Sequence, residues 1–242
     1  IHYVVDPGVA RVKRYSPRQK LDRLHIEAIS QASANQRAGR CGRIAPGTCI
    51  RLYAEADFAS RAEFTDPEIR RAALAGVILR MLSLGLGDIE AFPFLEPPDS
   101  RAVADGWQQL NELGAVDAQR KLTAIGRRMA KLPVDVKLAR MLVAAQANGS
   151  LRDMTVIASF LGIQDPRERP AEAREAADNA HAKFTDTRSE FLGILKLWEA
   201  YREAHEELTQ SKLRDWCERN FLGFLRMREW RDVFAQLHTL CA

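Results

Sequence analysis

The sequence contains no run of about 18 apolar residues, so it offers no candidate membrane-spanning helix. Its four cysteines, Cys41, Cys49, Cys217 and Cys241, include no C-x-x-C pair and have no histidine at ligand spacing beside them. That excludes a recognisable zinc motif and a disulfide framework, and it predicts a reduced, cytosolic compartment. There is no G-x-x-x-x-G-K-[ST] and no D-E-A-H, hence no phosphate-cradling loop and no matching acidic box. Internal repeats and low-complexity tracts are also missing. The first residues, IHYVVDPG, have neither a basic n-region nor a small-residue cleavage site, and no initiator methionine precedes them. They read as a strand entered partway, and the expectation is a segment of a larger protein.

What is present is a chain of 242 residues, 46% hydrophobic and 28% charged, a balance that suits one to three compact domains. The net charge of +4 is unevenly spread. Residues 1–50 carry Arg11, Lys13, Arg14, Arg18, Lys20, Arg23, Arg37, Arg40 and Arg43 against Asp6, Asp22 and Glu27. A local excess of this kind favours a polyanion, either nucleic acid or nucleotide phosphate, although a solvated basic surface has the same composition.

The pattern along the chain predicts an α/β segment followed by mostly α structure. IHYVV reads as a buried strand, and Asp6-Pro7-Gly8 as a turn. VARVKRY and LDRLHIEAI flank SPRQK, which predicts an antiparallel hairpin over residues 9–29 with basic residues near its tip. A short helix is expected over residues 33–42, and TCIRLY (48–53) as a further strand. Asp66-Pro67-Glu68 predicts the start of a helix running to the glycines after Leu84. Ser100 is expected to cap a helix that ends at Gly114. A small hairpin (AVDAQRKLT) and a helix (TAIGRRMAKLP) follow, and this succession suggests a winged-helix module. From Asp135 onward the apolar spacing is helical throughout, interrupted at QDPRERP.

The stretch SANQRAGRCGRIAPG (33–47) is the densest in chemistry. At 100° per residue, Arg40 and Arg43 each fall within about 40° of Gln36, while Arg37 points about 100° away. Like charges on one face repel, so an anion is expected to compensate them. Gly39 and Gly42 each cost roughly 1 kcal/mol against alanine inside a helix, and would let another surface approach the backbone. A γ-phosphate fits the charge best. Arginine delivers a fixed fork to its oxygens, and a glutamine amide can orient an attacking water. Ser33 and Gln36 also have capping-box spacing, a purely local alternative for Gln36.

QRAGRCGR resembles motif VI, Q-R-x-G-R-x-G-R, of the DEAH-type superfamily 2 RNA helicases. YVVDPG, ISQASANQRAGRCGR, CIRLYAEADF, FTDPEI, LGLGDI, LTAIGRRMAKLPVD, GIQDPRERP and WCERNFL are similar to other signatures of that family, the penultimate one to its bacterial branch. The resemblance covers essentially the whole chain. It implies the C-terminal part of a second RecA-like domain over 1–64, a winged-helix domain over 65–134 and a helical ratchet-like bundle over 135–242.

The resemblance also implies roles. Gln36 would position the hydrolytic water, Arg40 and Arg43 would be fingers on the γ-phosphate, and Arg37 would belong to the same nucleotide-binding set with its role open. The hairpin would lie beside the RNA path, with Arg14, Arg18 and Lys20 as candidate contacts. Arg167 and Arg169 could touch RNA backbone, or simply be solvated loop arginines. The stripe of Leu192, Leu195 and Trp198 reads as core. The full-length parent would use ATP or another NTP with Mg, engage RNA and close against an upstream RecA-like domain. This chain alone would bind no cofactor and no metal, and would not associate with membrane. The competing reading is a non-catalytic RNA-binding or protein-docking module built from helicase parts. Phosphate contacts alone would not distinguish RNA from DNA.

Overall fold

The computed structural model describes residues 1–16, 19 and 21–241. By its contacts the chain divides into two compact units, Ile1–Leu110 and Asn111–Ala242. The expected boundaries after residues 64 and 134 fall inside these units.

The first unit begins with β1 (Tyr3–Asp6), the hairpin strands β2 (Val9–Ser16) and β3 (Leu21–Ala28), helix α1 (Gln31–Ala38) and β4 (Thr48–Arg51). β1 and β4 pair in parallel, Tyr3 opposite Thr48 through Asp6 opposite Arg51. β2 and β3 pair antiparallel from Val9–Ala28 to Ser16–Leu21, as the alternation predicts. The continuous apolar run IHYVV suggested burial on both faces, and here the expectation fails. Tyr3 and Val5 are exposed at 75% and 61%, and Ile50 beside Val5 is exposed as well. α1 packs on β1, so the other face of this two-stranded sheet is bare.

α2 (Glu55–Ser60) follows. The helix expected from Pro67 forms only a 3-10 turn over Glu68–Arg70, and α3 (Ala75–Leu84) starts after a break. The reason lies in the hairpin. The Tyr15 N–H donates to the Arg71 carbonyl at 2.8 Å, taking an acceptor that a continuous helix would spend on residue 75. Gly85 then ends α3 with φ +67°, the left-handed cap that glycine permits. α4 (Ser100–Glu112) is capped by Asp99 and not by Ser100: the Asp99 carboxylate accepts from the Arg101 N–H at 2.8 Å. Leu74, Ile78, Leu79, Val103 and Leu110 are buried in this unit.

In the second unit Gly114 has φ +67°, as its position past α4 predicts. The small hairpin closes on one bridge, Val116 to Leu122, with the Asp117 carboxylate accepting from the Gln119 and Lys121 N–H groups at 2.9 Å. Thr123 caps α5 (Ala124–Met129) and donates to the Gly114 carbonyl at 2.6 Å. A Cβ at Gly126 would collide with the Ala115 carbonyl, which is why glycine stands there.

Helices α6 (Val136–Ala147), α7 (Leu151–Leu161), α8 (Arg174–Ala182), α9 (Glu190–Glu207), α10 (Gln210–Arg219) and α11 (Phe224–Cys241) complete it. α7 packs against α6, α9 and α11. The core is aromatic: Trp230 lies 5.0 Å from Phe160 and 4.9 Å from Trp198, ring centre to ring centre. Its indole N–H reaches the Val156 carbonyl at 3.1 Å and the Ser159 hydroxyl at 3.0 Å, so the buried ring keeps no unpaired donor. Trp198 is buried and Leu195 packs beside it, as core and not as an open stacking platform.

Candidate functional site

The functional segment starts at the foot of the hairpin. β3 ends at Ala28, Ile29 is buried, and Ser30 caps α1 by accepting from the Ser33 N–H at 3.2 Å. Ser33 is therefore the receiving end of the cap. The alternative role of Gln36 as partner in a box with Ser33 has no place, since the helix starts three residues earlier than its spacing suggested. The Ser30, Ser33 and Thr65 hydroxyls lie 3.0–3.1 Å from one another.

α1 ends sooner than expected. Gly39 remains right-handed, but the next bonds tighten to i→i+3: Arg40 N–H to the Arg37 carbonyl at 3.1 Å and Cys41 N–H to the Ala38 carbonyl at 3.2 Å. Arg40 and Arg43 consequently lie beyond the helix, and a regular 100° spacing does not apply to them. Two glycines at 39 and 42 weaken the helix, and the chain turns back on itself instead. The return is tight at Gly47, where a Cβ would strike the Cys41 carbonyl. Nothing lies within 4 Å of a Cβ placed on Gly42, so within the described chain that glycine faces open space.

The four polar side chains of the segment divide. Gln36, Arg40 and Arg43 are exposed, and neither arginine makes an ion pair among the described residues. Arg37 turns the other way, as its helical direction indicated. Its Nη1 donates to Asp6 Oδ1 at 2.6 Å and its Nη2 to the Val9 carbonyl at 3.1 Å. Asp6 is completely buried, and it also accepts from the Gly8 N–H and the Tyr53 hydroxyl, each at 2.9 Å. Burial works against ionising that carboxyl. The Gly8, Arg37 and Tyr53 bonds outweigh it and hold Asp6 below the usual carboxylate range. Burial and the bond to Asp6 push the Tyr53 hydroxyl up.

Asp6, Tyr53 and Arg61 are the residues that sequence reasoning missed. Asp6 read only as a turn former. Its signal was a carboxylate closing an apolar strand, a position where burial demands a partner. Nothing in the spacing shows that Arg37 and Tyr53 converge on it.

The candidate RNA contacts are mostly engaged. The Arg14 guanidinium meets Glu27 with two bonds of 2.6 and 2.8 Å and Asp66 at 3.2 Å. The Glu27 bond holds its proton more firmly than usual. Arg167, half-buried, forks onto Asp165 at 2.7–3.1 Å and lies 5.4 Å from the Phe160 ring centre. Arg169 pairs with Asp178 at 2.7 Å. Arg18 and Lys20 lie outside the described residues. Elsewhere on the hairpin Lys13 pairs with Asp22 at 2.7 Å, whereas Arg11 and Arg23 are exposed without an ion pair among the described residues. No group of three or more potential metal ligands occurs among the described residues, and no described helix is long and apolar enough to cross a membrane.

Comparison with known proteins relates the chain to RNA helicases. Residues 106–134 match the winged-helix domain described as helicase associated domain HA2. The chain is 53% identical to the ATP-dependent RNA helicase HrpA of Escherichia coli and 52% identical to the HrpA homologue of Haemophilus influenzae, over 99% and 98% of its own length. It is 35% identical, over 99% of its length, to a human protein named probable ATP-dependent RNA helicase DHX34. The chain spans only 19–21% of the length of these relatives.

Proposed function

The chain is related along nearly its whole length to one segment of the HrpA-type DEAH-box RNA helicases, and from that relationship we propose that it is the part of such an ATP-dependent helicase that completes the nucleotide site and grips RNA. The observation that carries this reading is the split within QRAGRCGR: one arginine is spent inside the fold, while Gln36, Arg40 and Arg43 stand exposed.

In this reading residues 1–64 are the later part of a RecA-like domain, 65–134 a winged-helix domain and 135–242 a ratchet-like bundle. The phosphate cradle and the acid that holds Mg lie on an upstream RecA-like domain. When ATP draws the two lobes together, Arg40 and Arg43 meet the γ-phosphate. There they neutralise charge that builds on the transferring oxygens. Gln36 orients the attacking water through its amide, which both donates and accepts. Hydrolysis releases the arginines, the lobes part, and the RNA strand advances. Arg11 and Arg23 are the described hairpin arginines left free to meet RNA phosphates, since Arg14 is held by two carboxylates. The four cysteines, all free, suit a reduced cytosolic compartment.

Fingers without a cradle have nothing to act on. The isolated 242-residue chain is expected to show no RNA-stimulated ATP turnover, and the full-length protein to show it, in a steady-state phosphate-release assay. Turnover by the pure isolated chain would overturn the division of the site between two lobes.

A further inference from the structure

The hairpin and the arginine-bearing segment share one foundation. Arg37 on α1 spans Asp6, at the end of β1, and the carbonyl of Val9, the first residue of the hairpin. Arg61 holds the same place from the other side, donating to the Gly8 carbonyl at 2.8 Å and the Ile29 carbonyl at 3.4 Å. Gly8 and Ile29 are the residues that flank the hairpin, and they bond to each other at 3.0 Å. The Arg61 guanidinium also stacks 3.9 Å from the centre of the Tyr53 ring, whose hydroxyl bonds Asp6. Gly8 is fixed by necessity: its φ is +74°, and a Cβ there would lie 2.5 Å from the Tyr53 ring.

Apolar residues of similar volume would close this turn at a lower desolvation cost than a buried carboxylate and two arginines. What the ionic cluster adds is direction. A planar guanidinium bonded at once to a carboxylate and to a hairpin carbonyl fixes orientation as well as distance. A rotation of the hairpin about residues 8–9 and 28–29 therefore pulls on Arg37, which adjoins Gln36 and lies three residues before Arg40. Ser30, the cap of α1, is joined to the hairpin through Ile29 alone, so the backbone carries the same movement.

We infer that the Asp6–Arg37–Tyr53 cluster is a coupling element, which makes the placement of Gln36, Arg40 and Arg43 depend on the position of the hairpin, so that RNA held at the hairpin sets the rate of hydrolysis. The inference rests on the helicase reading above and goes beyond it: Asp6 and Tyr53 are positioning residues that touch neither nucleotide nor RNA.

The test is made in the full-length protein, comparing ATP turnover with and without single-stranded RNA for Asp6→Asn and Tyr53→Phe. Asp6→Asn withdraws the charge that aims Arg37. Tyr53→Phe removes one bond to Asp6 and keeps the ring under Arg61. RNA affinity and RNA-free turnover are expected to stay within about twofold, while stimulation by RNA falls roughly fivefold or more in Asp6→Asn, and less in Tyr53→Phe. A merely structural cluster predicts that both rates fall in proportion, along with the folded fraction; that outcome, or undiminished stimulation, overturns the inference. Should Asp6→Asn fail to fold, Tyr53→Phe decides by the same ratio. If the unsubstituted protein shows no stimulation by RNA, the helicase reading itself fails and the coupling falls with it, a result distinct from a loss confined to the variants.

Discussion

Asp6 carries a charge in a place that water does not reach, and it is tolerated because three donors converge on it. Its carboxyl is held below its ordinary value of 3.8. A lowered folded-state value means that the group stabilises the fold at all pH above 3.8, and that this contribution is lost as pH falls below 3.8 through the folded-state value. Asp6→Asn leaves the half-buried Arg37 without its counter-charge. The expected cost is about 2–4 kcal/mol at neutral pH, read from denaturant midpoints, and the gap to the unsubstituted chain should narrow as the pH falls from 3.8 through the lowered folded-state value. A gap independent of pH would mean that shape, not charge, is what Asp6 provides. At the same scale, Arg14, Arg167 and Arg169 are each engaged by carboxylates, which basic composition alone does not reveal. Each cation was visible in the sequence, and each partner was remote or ambiguous there.

Among the elements, α9 contains a Tyr201 that is buried to 1% exposure, whose hydroxyl has no hydrogen-bond partner among the described residues. Burial pushes this hydroxyl up to about 12. Removing it should relieve an unpaired buried donor while keeping the ring beside Trp216 and His205. Tyr201→Phe is expected to raise stability by up to about 1 kcal/mol in thermal unfolding, and a loss of that size would show that the hydroxyl is satisfied in solution. The elements that could be read from sequence were those governed by neighbours in the chain. The 9–29 hairpin follows from alternation and a central turn, and the left-handed Gly114 past α4 follows from local chemistry. The elements that were misread were governed from afar. The helix from Pro67 is interrupted because Tyr15 claims the Arg71 carbonyl, and β1 is half bare because only one face is covered. For the candidate site, the identity of Gln36, Arg40 and Arg43 was legible and their geometry was not. Periodicity assumes a helix, and glycines at 39 and 42 end it.

At the scale of the whole molecule, what matters is which cations the fold leaves exposed. Of the described arginines near the hairpin and α1, Arg14, Arg37 and Arg61 are tied to carboxylates, whereas Arg11 and Arg23 on the hairpin and Arg40 and Arg43 beyond the end of α1 are exposed without an ion pair among the described residues. Charge left exposed in this way is available to an anion from outside the chain. Its worth to a phosphoryl-transfer reaction is large, since an arginine finger contributes about 10³- to 10⁵-fold in turnover. Its removal should not disturb the fold, because Arg40 supports nothing else among the described residues. The most direct measurement is therefore RNA-stimulated ATP turnover and RNA affinity of the full-length protein carrying Arg40→Ala. The finger role of Arg40 predicts turnover reduced about 10³-fold or more, with RNA affinity and thermal stability close to those of the unsubstituted protein. Turnover near that of the unsubstituted protein would contradict it.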